Sequence, residues 1–234
     1  ISGNGNNLTT NGTITSITSA KVGSRAVEYS NGYFSVASSS IDLSRRSFSV
    51  SMWVWVDNSS NSGDIELLSQ GSAGTNGYLH FRWKSNGKVL FGLYSNDIET
   101  DTSFDRTTYS QTWVHFLFTY NQTGYRSIYV NGGTANGGIQ KEDTNTSNFV
   151  NSSNALAINI FGDSTESDVR MDDLKIYEGV LTSTEITNLY THYDLNDSTP
   201  SNWSNLSNDI LISEGWLNDK QTKFTRRHDS VKTY

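Results

Sequence analysis

The chain has 234 residues, of which 34% are hydrophobic and 12% aromatic, with one proline, no cysteine and a net charge of −7. Lack of cysteine excludes disulfides and thiolate metal or redox sites, and the negative charge argues against nucleic acid, whose phosphates need a basic surface. No apolar run approaches the roughly 20 residues of a membrane helix, so no membrane insertion is expected.

Residues 1–20 carry no charge and are rich in Asn, Gly, Thr and Ser. They read as an N-terminal arm with one β-prone piece at 13–18. The chain begins at Ile1 rather than methionine, which a removed signal peptide would explain. From Ala26, short strand signals follow one another at 26–29, 33–36, 48–56, 65–70, 78–83 and 89–94. Asn31-Gly32, Asn76-Gly77 and Asn86-Gly87 separate them as turn signals. Residues 113–120 alternate Val114, Phe116, Phe118 and Tyr120 on one side with Trp113, His115 and Leu117 on the other. A strand apolar on both faces belongs inside a two-layer protein. Asn121-Gln-Thr-Gly124 then predicts a hairpin turn, and 125–130 the returning strand. Two further strands are expected at 156–161 and 170–177. Thr182-Ser-Thr-Glu185 is a capping box, with Ile186, Leu189 and Tyr190 following at helical spacing. Beyond residue 193 the pattern fades, apart from a strand-prone piece at 209–213.

Strands at this spacing without intervening helices predict an all-β antiparallel sandwich. Four segments together resemble the laminin G-like members of the concanavalin A-like lectin/glucanase superfamily. They are Ala26-Val-Glu-Tyr-Ser-Asn-Gly-Tyr-Phe-Ser-Val, Ser47-Phe-Ser-Val-Ser-Met-Trp-Val-Trp-Val, Trp113-Val-His-Phe-Leu-Phe-Thr-Tyr with Ile128-Tyr-Val-Asn-Gly, and Met171-Asp-Asp-Leu-Lys-Ile-Tyr-Glu-Gly-Val-Leu-Thr-Ser-Thr-Glu-Ile. The resemblance implies a jelly-roll β-sandwich with one short C-terminal helix, to which this chain adds extended terminal arms. The expected organisation is an arm at 1–20, a laminin G-like domain at 21–193 and a C-terminal extension at 194–234. The resemblance also implies extracellular recognition or adhesion rather than catalysis.

Glucanases of the same superfamily carry paired carboxylates in a Glu-x-Asp-x-x-Glu pattern. Glu166-Ser-Asp168-Val-Arg-Met171 begins that pattern and ends on methionine. A glycosidase needs both carboxylates, so no catalytic residue is assigned. His80, His115, His192 and His228 are scattered without metal-ligand spacing, and His115 reads as a packing residue. Superfamily members often hold a structural calcium, and Asp163, Asp172 and Asp173 supply hard oxygen donors suited to one. Sugars stack on exposed aromatic rings, for which Trp83, Tyr94 and Tyr109 are the candidates, whereas Trp53, Trp55 and Trp113 are assigned to the core.

Nine Asn-x-Ser/Thr sequons occur, at Asn7, Asn11, Asn58, Asn121, Asn145, Asn151, Asn196, Asn202 and Asn205. Most fall in predicted turns or in the arms, which suits a secreted or cell-surface glycoprotein. Residues 217–234 carry five basic and two acidic side chains, +3 on a body of −10. A basic tail on an acidic body can dock on a neighbouring copy, with Phe224, Arg226, Arg227, Val231 and Tyr234 as contacts. Two functions are therefore expected to compete. One is a non-catalytic adhesive module that assembles with copies of itself, as in a surface fibre. The other is a carbohydrate-binding recognition module whose partners are glycans.

Overall fold

Period-two alternation dominates the strands. In β3 (Phe48–Val56), Val50, Met52, Val54 and Val56 join the buried core, and in β8 (Val114–Tyr120) Val114, Phe116, Phe118 and Tyr120 do so. The computed structural model describes residues 8–57, 63–101, 103–123, 125–132, 139–143, 148–150, 154–158, 168–191 and 210–211. The remaining elements are β1 (Thr9–Ile17), β2 (Ala26–Val36), β4 (Ile65–Gly71), β5 (Tyr78–Trp83), β6 (Val89–Gly92), β7 (Ile98–Glu99), β9 (Arg126–Val130), β10 (Ile139–Asp143), β11 (Leu156–Ile158), β12 (Val169–Glu178), α1 (Ser183–Thr191) and β13 (Ile210–Leu211).

Every strand pairing is antiparallel, and the hydrogen-bonded order is β10-β9-β8-β3-β12-β2-β11-β4-β5-β6-β7. This ribbon folds over at β2. Phe81 of β5 stacks on Phe118 of β8 at 4.1 Å, and Trp83 meets Phe116 edge-on at 5.1 Å. Those strands lie far apart in the order, so the rings meet across two layers, as a jelly-roll sandwich requires. The all-β prediction holds.

Asn31-Gly32 is not a hairpin turn. β2 runs unbroken through it, pairing Tyr29 with Val169 of β12 and Phe34 with Ile158 of β11. The residues between carry one strand from one layer to the other. Asn31 sits at φ 67, and a Cβ on Gly32 would lie 2.6 Å from the Thr13 carbonyl oxygen of β1. Close backbone approach, not a turn, demands that glycine. Gly32→Ala is expected to cost about 2 kcal/mol, since rigid backbone must move to admit the methyl group. A urea denaturation midpoint unchanged by this substitution would contradict that account.

Most of the expected N-terminal arm belongs to the sheet, because β1 pairs with β2 from Thr9 to Ile17. The outer face of β8 is covered by α1, whose Ile186 and Leu189 pack on Leu117, Tyr177 and Leu181. The capping box forms as predicted: the Thr182 backbone N–H donates to Glu185 Oε2 at 2.8 Å, and the Glu185 N–H donates to Thr182 Oγ1 at 3.3 Å. Of the C-terminal extension, Ile210 and Leu211 pair with Ile176 and Lys175 of the same chain. The strand expected at 209–213 therefore completes its own sheet there, and Phe224, Arg226, Arg227, Val231 and Tyr234 lie outside the described residues.

Candidate functional site

Four large apolar side chains are exposed among the described residues: Tyr94 (43%), Tyr125 (49%), Val150 (42%) and Val180 (44%). Backbone hydrogen bonds gather their loops at one end of the sandwich. The Asn76 N–H donates to the Tyr94 carbonyl at 3.2 Å, and the Val150 N–H donates to the Asn76 carbonyl at 2.9 Å. Arg126, next to Tyr125, donates from Nη1 to the Asn96 carbonyl. Ser47 joins the remaining two loops, its Oγ accepting from the Gln122 N–H at 3.1 Å and its carbonyl from the Gly179 N–H at 2.9 Å.

The backbone at this end is unusual. Arg45, Asn76, Tyr94 and Ser95 hold φ values of 57, 59, 51 and 67. Such residues are uncommon outside glycine and persist where the surroundings over-determine them. Here the Asn96 side-chain amide donates to Asn76 Oδ1, and Asp97 Oδ1 accepts from the Leu93 N–H at 3.1 Å. Both loops are thereby fixed, and Tyr94 is presented on a rigid base. Arg126 reinforces them from within. It is 1% exposed, donates to the Phe91 and Asn96 carbonyls, and pairs with Asp143 of β10.

The outward face of β5 adjoins this end. Leu79, Phe81 and Trp83 point into the core, so Tyr78, His80 and Arg82 point away from it. Glu66 of β4 is 2% exposed and fully engaged: Tyr78 donates its hydroxyl to Oε1 at 2.6 Å, and Arg82 donates Nε and Nη2 to Oε2 at 2.9 and 2.8 Å. Burial, then Glu66, pushes the Tyr78 hydroxyl up to about 12. His80 stacks on Tyr78 at 5.0 Å, with Nε2 3.8 Å from Asp97 Oδ2. Burial, followed by Arg82, lowers its basicity, which favours the neutral ring. His80 is opposite Gly92, the last pair of β5 and β6, and Tyr94 follows two residues beyond it. The exposed Tyr94 ring, the Asn76 and Asn96 amides, the Asp97 carboxylate and the part-exposed Arg82 guanidinium are thus carried by β5, the loop that leads into it and the loop after β6. These groups suit the apolar face and the hydroxyls of a sugar.

Of the three aromatic rings expected to contact sugar, Tyr94 alone is exposed. Trp83 is 0% exposed and donates Nε1 to the Phe104 carbonyl at 2.9 Å, so it is a core residue. Tyr109 is half-buried against Phe104 and the core, at the opposite end of β5 from Tyr94. Trp53 is 2% exposed and packs in the interior as expected, and Trp55 is half-buried. They lie on the outer face of β3, Trp53 under Tyr190 and Lys21, and Trp55 under the Arg170 guanidinium at 3.8 Å. Tyr78, Arg82, Glu66 and Tyr125 were not singled out in the sequence. The strict alternation of Tyr78-Leu-His-Phe-Arg-Trp83 carried the signal for two of them.

The two described members of the expected calcium set do not fit a cation. Asp172 Oδ2 accepts from the Lys21 and Val22 N–H groups at 2.8 Å each, and Oδ1 from the Asp173 N–H at 2.8 Å. Asp173 pairs with Lys175. Oxygens filled by N–H donors beside an ammonium are poor calcium ligands. Asp163 and Glu166 lie outside the described residues.

His115 has a serine at hand: Ser51 Oγ is 2.8 Å from Nε2. Ser51 and His115 are each 1% exposed, Tyr190 stands over the ring at 5.9 Å, and Nδ1 has no hydrogen-bond partner among the described residues. Burial, with Lys175 adding to it, pushes the imidazole down to about 3. No carboxylate among the described residues orients this pair and both side chains are buried, which fits the packing role expected of His115.

Two sequons are among the described residues. Asn121 sits at the β8–β9 tip, where its Oδ1 accepts from the Thr123 N–H at 2.9 Å and hydroxyl at 3.0 Å. Asn11 lies in β1 and donates Nδ2 to Ser35 Oγ at 3.1 Å. Asn7, Asn58, Asn145, Asn151, Asn196, Asn202 and Asn205 lie outside the described residues.

Fold and surface together define a lectin-like jelly-roll module. Residues 29–187 match a laminin G-type family model of the concanavalin A-like lectin/glucanases superfamily, and the chain belongs to that family. A search of curated proteins found no match. Among solved structures, the binding domain of Paraclostridial Mosquitocidal Protein 1 superposes with a TM-score of 0.63 at 19% identity, over 82% of this chain and 48% of that one. The receptor binding domain of botulinum neurotoxin D gives 0.61 at 12% identity, over 81% and 48%. Domain 4 of AbnA, an extracellular arabinanase from Geobacillus stearothermophilus, solved in complex with arabinotriose, gives 0.59 at 21% identity, over 79% and 88%. The chain spans about half the length of the toxin domains. No described helix is long and apolar enough to cross a membrane.

Proposed function

We propose that this chain is a non-catalytic, extracellular carbohydrate-binding module. Its sugar site is the Tyr94 end of the sandwich together with the outward face of β5. The observation that carries this reading is Tyr94 itself, a large ring 43% exposed on a left-handed backbone that two neighbouring loops hold in place. A ring fixed in advance loses little entropy when a sugar stacks on it. Asn76, Asn96, Asp97 and Arg82 supply donors and acceptors around it. The arabinotriose complex of AbnA domain 4 and the binding role named for the toxin domains support the same reading. Glu66 is held by Tyr78 and Arg82 on both oxygens, an arrangement that suits a fixed hydrogen-bonding scaffold better than a nucleophile.

The test is binding to a glycan array followed by titration of the best ligand. Tyr94→Ala is expected to weaken binding about tenfold or more while leaving the unfolding midpoint unchanged, since the ring is exposed. Unaltered affinity in that variant would remove the site. Self-association is a second property, favoured by a different feature of the fold, the edge formed by β1.

A further inference from the structure

We infer that β1 is a self-association edge, along which two copies of the chain pair antiparallel about a two-fold axis at Thr13. One side of β1 pairs with β2 from Thr9 to Ile17, and no described strand pairs with the other. An open edge offers a row of backbone donors and acceptors to any incoming strand, and proteins usually guard such edges with charge or proline. β1 reads Thr-Thr-Asn-Gly-Thr-Ile-Thr-Ser-Ile and has neither. The first charged residue of the chain is Lys21.

The two ends of the main strand order, β10 and β7, are guarded. β10 carries Lys141, Glu142 and Asp143, and β7 carries Glu99. Those two ends are also tied to each other: Lys141 Nζ lies 2.9 Å from Asp101 Oδ1, just after β7, and Arg126 links Asp143 to the Phe91 and Asn96 carbonyls. Copies with a net charge of −7 repel one another, and β1 is an edge where they can meet without opposing like charges.

The register follows from the strand itself. β1 shifts register against β2 between Gly12 and Ile14, so the strand is kinked there. An axis at Thr13 superposes the kinks of the two copies; any other axis sets a kink against a straight segment. That axis pairs Thr13 with Thr13 of the second copy, Asn11 with Thr15, Thr10 with Ser16 and Thr9 with Ile17. Two of these, Thr13 with Thr13 and Thr10 with Ser16, are cross-strand hydroxyl pairs, which are favourable. The contact is isologous and closes as a dimer, not a fibre. The partner is thus a second copy joined through the N-terminal strand.

Sedimentation velocity of the full chain at tens of micromolar tests this. The expected species is a dimer. Thr13→Lys and Thr13→Glu each set like charges face to face on the axis, and are expected to weaken association about a hundredfold, leaving monomers. Thr13 is exposed, so the monomer's own fold should hold in both, read as an unchanged unfolding midpoint at a concentration too low for the wild type to pair. Mixing the two variants sets Lys against Glu and should restore the dimer. A monomeric wild type, or a dimer indifferent to both substitutions, would overturn the inference.

Discussion

Arg82→Ala is expected to lower stability by about 3 kcal/mol, near the bottom of the range for orphaning a buried charge because water can reach part of the site. Glu66 is 2% exposed, and Arg82 supplies two of the three donors on it, at 2.9 and 2.8 Å. Removing the guanidinium leaves the carboxylate desolvated with only the Tyr78 hydroxyl to satisfy it. For a chain of this size that is a fall of roughly 6–12 °C in Tm. Adding Glu66→Gln should recover much of the loss, because the orphaned charge is then gone. Chemical denaturation of the two single variants and the double variant measures the coupling. Strict additivity would show that the two side chains do not act as a pair.

The pH dependence of stability is the second large effect, and it has two opposing parts. His115 is held down to about 3 in the folded chain, against about 6.5 unfolded. The unfolded state therefore takes up a proton that the folded state refuses. Stability from this group is complete above pH 6.5 and is lost as pH falls towards 3, by up to about 5 kcal/mol at 1.36 kcal/mol per unit. Asp172 behaves in the opposite sense. Burial raises its carboxyl to about 7, while the Val22, Lys21 and Asp173 N–H groups pull the other way and Asp173's charge adds to the rise. Between about pH 4 and 7 the folded state holds a proton on Asp172 that the unfolded state has lost, so this group stabilises as pH falls.

In the wild type the two slopes offset each other over pH 4–6.5, and stability should be nearly flat there. Asp172→Asn removes one arm and should expose a loss approaching 1.4 kcal/mol per pH unit on acidification. His115→Gln removes the other and should make stability rise as pH falls through the same window. Urea midpoints at pH 7, 6, 5 and 4 for the three proteins decide the matter. Parallel curves in all three would show that neither buried group titrates in this way.

Local patterns made much of the fold legible. The two-faced apolar run at 113–120 marked an inner strand, and Thr182 with Glu185 marked the helix start; both hold. Asn31-Gly32 misled because a dipeptide reports a tolerated backbone, not the reason for it. A hairpin turn and a strand crossing between layers make the same local demand. β1 was underestimated because its Thr and Asn side chains bury little, while main-chain pairing with β2 holds it.

The site was harder to read. Trp83 and Tyr94 are both aromatic residues near strand ends, and the alternation of 78–83, which sets Trp83 with Leu79 and Phe81, separates them only once that face is known to be the buried one. Register supplies this, turning Trp83 into the core beside Phe116 and leaving Tyr94 past the last pair of β6. Glu66 stands inside an apolar run, yet its partners come from β5, so the network exists only once those strands pair.

The central claim is that sugar binds where Tyr94 meets the outward face of β5. Its most direct test is a titration of the isotopically labelled chain with its best array ligand, following backbone amide shifts. The account predicts that Asn76, Tyr78, Arg82, Tyr94 and Asn96 move together and saturate with one dissociation constant. Shifts confined to the Trp55 and Arg170 face of the other layer, with Tyr94 and Tyr78 unmoved, would contradict it.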